Sequence, residues 1–106
     1  MRILVTGTEG YIGARLAPWL HAQGHQVVGL DTGFYRDGCL YIDPPGMPWA
    51  PETRCKDLRA ITPEDFEGID AVVHLAELSN DPLGQNRPEI TFAINHEGTV
   101  AIAQAA

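Results

Sequence analysis

The chain has 106 residues, with 7 Lys and Arg against 14 Asp and Glu, and a formal net charge of −7 at pH 7. A chain of this length forms one domain at most, because it buries roughly 65% of its unfolded surface, enough for one modest core. Its few basic residues are scattered, which argues against nucleic acid or anionic membranes as partners, since both bind clustered Lys and Arg.

The cysteines and the amino end exclude several protein classes. Cys39 and Cys55 lack C-x-x-C spacing and indicate neither a zinc site nor a disulfide framework. A strand is predicted directly after Met1, which leaves no space for a signal peptide, and no apolar run approaches membrane-spanning length. We therefore expect a cytoplasmic protein that binds no metal.

A glycine-rich turn follows the first predicted strand, residues 2–6. We expect Gly7 to make the turn, Gly10 to admit a diphosphate, and Gly13 to let the following helix lie against the strand. The backbone N–H groups of Gly10, Tyr11 and Ile12 then face the phosphates, with the positive end of the helix macrodipole behind them. This turn predicts a dinucleotide site.

The next predicted elements are a helix over about residues 10–23 and a strand over residues 26–30. Gly24 supplies the end of the helix, and Pro18 predicts a bend within it. The expected apolar stripe of the helix comprises Ile12, Leu16, Trp19 and Leu20.

Asp31 ends the second strand, where an acidic side chain can accept hydrogen bonds from the ribose hydroxyls and repel a 2′-phosphate. This favours NAD over NADP. Arg36, five residues later, is able to neutralise a phosphate, so NADP stays as the less favoured cofactor.

Residues 32–51 are rich in Gly and Pro and predict a long surface loop. Its aromatic side chains either cover the adenosine or pack on the core, and we favour packing. They are Phe34, Tyr35, Tyr41 and Trp49.

The remaining elements alternate between strand and helix. A short strand is expected at residues 53–55, a short helix opening at Thr62, a buried strand at 70–76, a polar loop at 79–87, and a final helix from Pro88. The inner side of that helix is expected to carry Ile90, Ala93, Ile94, Ala101 and Ala105. The alternation predicts a doubly wound, parallel α/β sheet of the Rossmann type in the order 3-2-1-4, with the cofactor between strands 1 and 4.

Four motifs occur in order along the chain: T-G-x-x-G-x-x-G from Thr6, D-L-R from Asp57, H-L-A from His74, and N-x-x-G-T from Asn95. Together with the loop from Leu78, they resemble the NAD-dependent epimerase/dehydratase family of the extended short-chain dehydrogenase/reductase superfamily. The resemblance implies an oxidoreductase that passes hydride transiently to the nicotinamide of NAD and acts on nucleotide sugars. It also implies a homodimer for the whole enzyme.

The resemblance assigns roles to residues beyond the glycine turn. Asp57 would accept from the adenine amino group and Leu58 would pack on the ring, although a turn or capping role for Asp57 is an equal alternative. Leu75 and Ala76 would let the backbone approach the nicotinamide ribose and diphosphate, and Asn95 would tie the last helix to the sheet beside the cofactor.

Three features at the end of the fourth strand and beyond call for separate expectations. His74 is interpreted as a hydrogen-bonded strand-end histidine without a role in proton transfer. Glu77 replaces the family's usual second alanine, so its carboxylate either points away from the diphosphate or marks a difference in detail. Gly98 is expected at a close packing contact, because glycine within a helix costs about 1 kcal/mol relative to alanine.

The family's catalytic Tyr-x-x-x-Lys pair is missing from these residues. The residues four positions after the three tyrosines are Arg15, Cys39 and Pro45, and the only lysine is Lys56. We therefore interpret the chain as the N-terminal, cofactor-binding part of a longer enzyme. On this interpretation, the chain itself lacks the C-terminal half of the family fold. The alternatives are a non-catalytic dinucleotide-binding regulatory module and a methyltransferase-like nucleoside binder.

Overall fold

The computed structural model describes residues 1–34, 52–79 and 81–106. Four strands and four α-helices, with short 3₁₀ and π segments between them, form the described chain. They are β1 Arg2–Thr6, α1 Gly13–Ala22, β2 Gln26–Asp31, β3 Glu52–Cys55, 3₁₀ segments at Leu58–Ala60 and Pro63–Phe66, β4 Ala71–His74, α2 Asp81–Asn86, α3 Pro88–Phe92, a π segment at Ala93–Gly98, and α4 Thr99–Ala105.

The strands form one parallel sheet in the order β3-β2-β1-β4, which confirms the predicted Rossmann-type topology. In the register, Val5 of β1 lies beside Gly29 of β2 and Val73 of β4. Because all strands run the same way, Thr6, Asp31 and His74 end at one edge of the sheet. The functional residues expected after strands 1, 2 and 4 are therefore neighbours.

Alternating side chains of β1 point to opposite faces of the sheet, and each face carries one apolar cluster. On the face of α1, Ile3 and Val5 pack with Ala17 and Val27. On the other face, a larger cluster joins β1 and β2 to the 3₁₀ segments and α4. Its buried members are Leu4, Val28, Leu30, Leu58, Phe66 and Ile102.

The buried side of α1 differs from the predicted stripe. Ile12 and Trp19 are 60% and 51% exposed, whereas Gly13, Ala17 and Pro18 are buried. The helix begins at Gly13, three residues later than expected, and the contact of Gly13 with the glycine turn fixes which side faces the sheet. The bend expected at Pro18 stays a prediction.

The segment between β3 and β4 begins as predicted and forms only 3₁₀ structure. Thr62 and Asp65 make a reciprocal capping box around Pro63, and the turn buries Phe66 against the sheet. β4 is shorter than predicted, and its residues are only partly buried, so the expectation of a buried strand is wrong for the described residues.

The polar loop expected at residues 79–87 is also wrong, because residues 81–86 form α2. Asp81 lies in its first turn, where a negative charge stabilises the helix dipole. The final helix begins at Pro88 as predicted but contains the π segment, and its deepest contact is Ile102, which the predicted inner face omitted.

The predictions that concern Tyr35, Arg36, Cys39, Tyr41 and Trp49 lie outside the described residues. Cys55 is an exposed free thiol. No helix in the described part of the chain is long and apolar enough to cross a membrane.

Candidate functional site

The glycine turn is built as close backbone contacts that side chains would block. Gly7 has a φ of +73°, and a Cβ there would lie 2.9 Å from the backbone nitrogen of Ala76. A Cβ on Gly13 would lie 2.0 Å from the carbonyl oxygen of Gly7. The turn expected at Gly7 and the helix contact expected at Gly13 are therefore both present.

The amino end of α1 opens toward this turn without a capping side chain. Its N-cap residue is Ile12, which makes no side-chain cap hydrogen bond. The backbone N–H of Gly10 donates to the carbonyl oxygen of Gly7 at 3.1 Å, so it is engaged rather than free. Within the described residues, the N–H groups of Tyr11 and Ile12 donate to no backbone carbonyl, which makes them the donors suited to an anion.

Gly10 itself fits the role of a diphosphate approach point. A Cβ there would meet the Gly7 carbonyl oxygen at 3.3 Å and no other atom of the described residues within 4 Å. The space in front of this glycine is consequently open on the side away from the turn, as a cradle for a bulky anion requires.

Asp31 is buried at the end of β2, with 9% of its surface exposed. Its Oδ2 accepts from the N–H of Glu9 and its Oδ1 from the N–H of Gly33, each at 2.9 Å. The carboxylate thus joins the glycine turn to the end of β2. Each carboxylate oxygen has a second acceptor position, so the group retains capacity for a ligand hydroxyl.

Asp57 makes the contacts of the capping alternative. Its Oδ1 accepts from the backbone N–H of Arg59 at 2.9 Å and so caps the 3₁₀ segment. The Arg59 guanidinium binds both oxygens, at 3.0 and 2.7 Å. These hydrogen bonds hold the pKa of the Asp57 carboxyl below its ordinary value, against the opposing effect of burial. Leu58 beside it is buried in the core.

The opposite wall of the cleft follows β4. Leu75, Ala76, Glu77 and Leu78 line it, and the backbone of Ala76 lies against Gly7. Glu77 is exposed and belongs to the lining of the cleft, and the direction of its carboxylate relative to a diphosphate stays a prediction.

Asn95 performs the expected tie between the final helix and the sheet. Its Oδ1 accepts from the N–H of Leu78 at 2.8 Å, and its Nδ2 donates to the carbonyl oxygen of Leu78 at 2.9 Å. Because the amide bonds both the N–H and the carbonyl oxygen of Leu78, Asn95 holds the wall of the cleft in place. Gly98 lies one turn later. A Cβ at this position would lie 3.5 Å from the Cβ of Leu58, which is an ordinary contact distance, so packing alone does not require glycine there.

His74 is hydrogen-bonded through both ring nitrogens, as expected of a strand-end histidine. Nδ1 lies 2.7 Å from Thr6 Oγ1 and Nε2 lies 3.0 Å from Thr99 Oγ1. Burial lowers the pKa of the imidazole below its ordinary value, and the negative charge of Glu77 opposes that shift.

The structure gathers most of the predicted residues around one cleft. Those that line it are Gly7, Gly10, Asp31, Asp57, Leu58, Leu75 and Ala76. Asn95 reaches the cleft through Leu78, and Gly13 lies against the backbone of Gly7, whereas Tyr11 and Ile12 line a neighbouring surface groove with Trp19. Phe34 also lines the cleft and is 71% exposed, so the core-packing role favoured for the loop aromatics is wrong for this residue.

Sequence reasoning missed several residues that hold this cleft. Thr6 and Thr99 bind His74; each stands in one of the four motifs, but the motifs do not indicate that these two hydroxyls meet at one imidazole. Thr8 is buried over β2, where a Cβ on Gly29 would lie 3.0 Å from its Oγ1. The glycine within an otherwise apolar strand was the available signal for that contact.

Comparison with known proteins agrees with this geometry. A family model described as the NAD dependent epimerase/dehydratase family matches residues 3–106. The chain is 30% identical to UDP-glucose 4-epimerase from Stenotrophomonas maltophila, a structure with bound NAD and formylated UDP-arabinopyranose, with a TM-score of 0.81 over 99% of this chain and 33% of that chain. It is 29% identical to a short-chain dehydrogenase/reductase superfamily protein from Agrobacterium tumefaciens with bound NAD, with a TM-score of 0.70 over 100% of this chain and 29% of that chain.

A further relative is Protein CapI of Staphylococcus aureus, 56% identical over 32 residues, which are 30% of this chain and 10% of CapI. The chain spans only about a third of the length of the solved relatives. The matched family model nevertheless extends over nearly every residue and confirms the resemblance found in the sequence motifs. This chain belongs to the NAD-dependent epimerase/dehydratase family.

Proposed function

We propose that this chain forms the NAD-binding part of an oxidoreductase that acts on nucleotide sugars by epimerisation or dehydration. The observation that carries the proposal is the single cleft that brings Asp31, Asp57 and the end of β4 to the bare backbone of the glycine turn. When bound there, NAD supplies a nicotinamide that accepts and returns hydride.

The residues of the cleft divide the work of binding. The N–H groups of Tyr11 and Ile12 donate to the diphosphate, and Gly10 provides the space it needs. The carboxylate of Asp31, already held by two backbone N–H groups, accepts from the ribose hydroxyls and disfavours a 2′-phosphate, so NAD is preferred to NADP. Leu58 and Asp57 contact the adenine.

Proton transfer to and from the sugar requires a base and a cation that these residues do not supply. The Tyr-x-x-x-Lys pair of the family is absent from the sequence, so the proposal places it in a part of the enzyme beyond these residues. The same absence favours the second candidate, a dinucleotide-binding regulatory module without turnover.

NADH fluorescence titration of the full-length protein tests the binding site, with Gly10→Ala as the probe. The added methyl group meets only the Gly7 carbonyl oxygen but occupies the diphosphate approach, so we expect at least about tenfold weaker NADH binding with little change in melting temperature. Gly84→Ala is the matched control, since its nearest contact is at 3.8 Å on Thr91, outside the cleft.

Turnover of UDP-sugars by the same protein then separates the two candidates. NADH binding together with sugar conversion supports the oxidoreductase, and binding without conversion supports the regulatory module. Equal NADH affinity of wild type and Gly10→Ala would contradict the site, and binding of S-adenosylmethionine without NADH would favour a nucleoside binder instead.

A further inference from the structure

A chain of hydrogen bonds centred on His74 joins the two walls of the cleft. Thr6 Oγ1 accepts from the N–H groups of Leu75 and Ala76, at 3.1 and 3.2 Å. A hydroxyl oxygen has two lone pairs, so these two hydrogen bonds fill its acceptor capacity, and the hydroxyl hydrogen must be donated to a third partner. The atom within reach is His74 Nδ1, at 2.7 Å, which is therefore an acceptor without a proton.

The other side of the imidazole leads to the same conclusion independently. Thr99 Oγ1 donates its only proton to the carbonyl oxygen of Asn95 at 2.7 Å. His74 Nε2 lies 3.0 Å from Thr99 Oγ1. Because the hydroxyl proton is already donated to Asn95, Nε2 must be the donor in this hydrogen bond. Both partners thus require a neutral ring with its proton on Nε2, and a proton added to Nδ1 would face the hydroxyl proton of Thr6.

We propose that His74 is a positioning residue that sets the spacing of the cleft by fixing the β4 wall to both the glycine turn and the final helix. The inference rests on the proposed function, because the spacing matters for the dinucleotide held between those walls.

The contacts on either side show how the imidazole acts on the site. Thr6 immediately precedes Gly7. A Cβ on Gly7 would lie 2.9 Å from the backbone nitrogen of Ala76, so the chain after β1 and the chain after β4 are in close contact where the cleft begins. The Asn95 side chain binds the backbone of Leu78, and the backbone carbonyl oxygen of Asn95 accepts a hydrogen bond from the Thr99 hydroxyl. A displacement of His74 therefore moves residues 75–78 relative to the turn. A binding site held too loosely by its supporting contacts loses affinity without losing its residues.

The π segment of the final helix lies at this junction. It spans Ala93–Gly98, and Thr99 follows it directly, with its hydroxyl bonded back to Asn95 four residues earlier. Back-bonding of this kind distorts helices, and π segments are frequent at functional sites. The distortion places Asn95 and Thr99 so that both reach the β4 wall.

The test compares three variants of the full-length protein by NADH titration. Thr99→Val keeps the shape of the side chain but removes the acceptor for Nε2–H, and we expect about tenfold weaker NADH binding, as for one buried hydrogen bond. Thr99→Ser restores the hydroxyl and should restore affinity to within about twofold. Thr91→Val is the matched control, because the Thr91 hydroxyl on the same helix has no hydrogen-bond partner among the described residues and should leave affinity unchanged.

Nitrogen-15 NMR of the imidazole supplies a signature that a general loss of stability would not move. We expect wild-type His74 in the Nε2–H form, and Thr99→Val to shift the tautomer populations while the protein stays folded. The Nδ1–H form in the wild type, or unaltered NADH affinity in Thr99→Val, would overturn the inference while leaving the proposed function intact. Failure of the wild type to bind NADH would overturn both.

Discussion

The two ends of the parallel strands use polar side chains in opposite ways. At the amino ends, the contacts are exposed to solvent: Glu52 pairs with the Arg2 and Arg54 guanidinium groups at 3.3 and 3.1 Å, and Asp70 accepts from the backbone N–H of Arg2 at 2.6 Å. At the carboxyl ends, Asp31 and His74 bind a backbone N–H and a hydroxyl in partly buried positions.

The difference teaches where this chain is built for a ligand. Exposed ion pairs contribute little stability and are screened by salt. The pairs at the amino ends therefore neutralise charges without holding the backbone in a fixed position. Partly buried hydrogen bonds to the backbone fix positions, because breaking one leaves a polar group without a partner. Changes at the carboxyl ends should therefore affect both folding and NADH binding, and changes at the amino ends only folding.

The largest effect should come from Gly13→Ala. The new Cβ would lie 2.0 Å from the Gly7 carbonyl oxygen, so the backbone of the turn must move. We expect a loss of about 3 kcal/mol or more in the free energy of unfolding, together with loss of NADH binding, measured by urea denaturation and fluorescence titration. Gly24→Ala is the control: it has no atom within 4 Å and a φ of +88°, so it should cost only about 1 kcal/mol. Equal costs for the two variants would contradict the close contact.

An intermediate effect should follow Asp31→Asn. The amide has one acceptor oxygen for two backbone donors, so one partly buried N–H loses its partner, at a cost of about 1 kcal/mol. We also expect at least about tenfold weaker NADH binding and a relative gain for NADPH.

The matched substitution at the other end of the sheet is Asp70→Asn, which disturbs one exposed hydrogen bond to Arg2. It should cost about 1 kcal/mol or less and leave NADH affinity unchanged. If both variants weakened NADH binding equally, the division between the strand ends would be wrong.

The smallest effects should appear as two separate pH windows in the free energy of unfolding. Burial lowers the pKa of His74 below 6.5 despite Glu77, so the unfolded chain binds more protons, and stability falls as the pH decreases from 6.5 through the folded pKa. Hydrogen bonding by Arg54 lowers the pKa of Glu52 below 4.5, so its contribution is complete above 4.5 and is lost as the pH falls through the folded value.

Urea denaturation across this pH range, at low and high salt, measures both windows. His74→Gln should remove the upper one and Glu52→Gln the lower one, and only the lower one should shrink in high salt, because exposed charges are screened. Salt sensitivity of the upper window would contradict the distinction drawn here.

The sequence predicts best where structure follows from local chemistry. The apolar runs of β1, β2 and β4 and the spacing of the glycine turn are local, and the strand order follows from right-handed crossovers. The face of α1 was not predictable from periodicity, because Ile12 and Trp19 match an apolar stripe while the Gly13 contact sets the rotation of the helix. The helix at 81–86 was hidden by its polar composition.

In the site, the positions of Asp31 and Asp57 at strand ends followed from motif spacing, and the cleft brings them together. The capping role of Asp57 was an open alternative because D-x-R pairs act locally. The His74 hydrogen bonds join residues 68 and 25 positions apart. No local pattern contains such a link, since it exists only after the sheet and the final helix have assembled.

The contact of Thr8 with Gly29 has a consequence for evolutionary drift. Because Thr8 Oγ1 would lie 3.0 Å from a Cβ at position 29, an alanine there requires the Thr8 side chain to shift, and a smaller residue at position 8 removes that requirement. We therefore expect the two positions to covary among homologues, and the stability effects of changes at positions 8 and 29 to be non-additive.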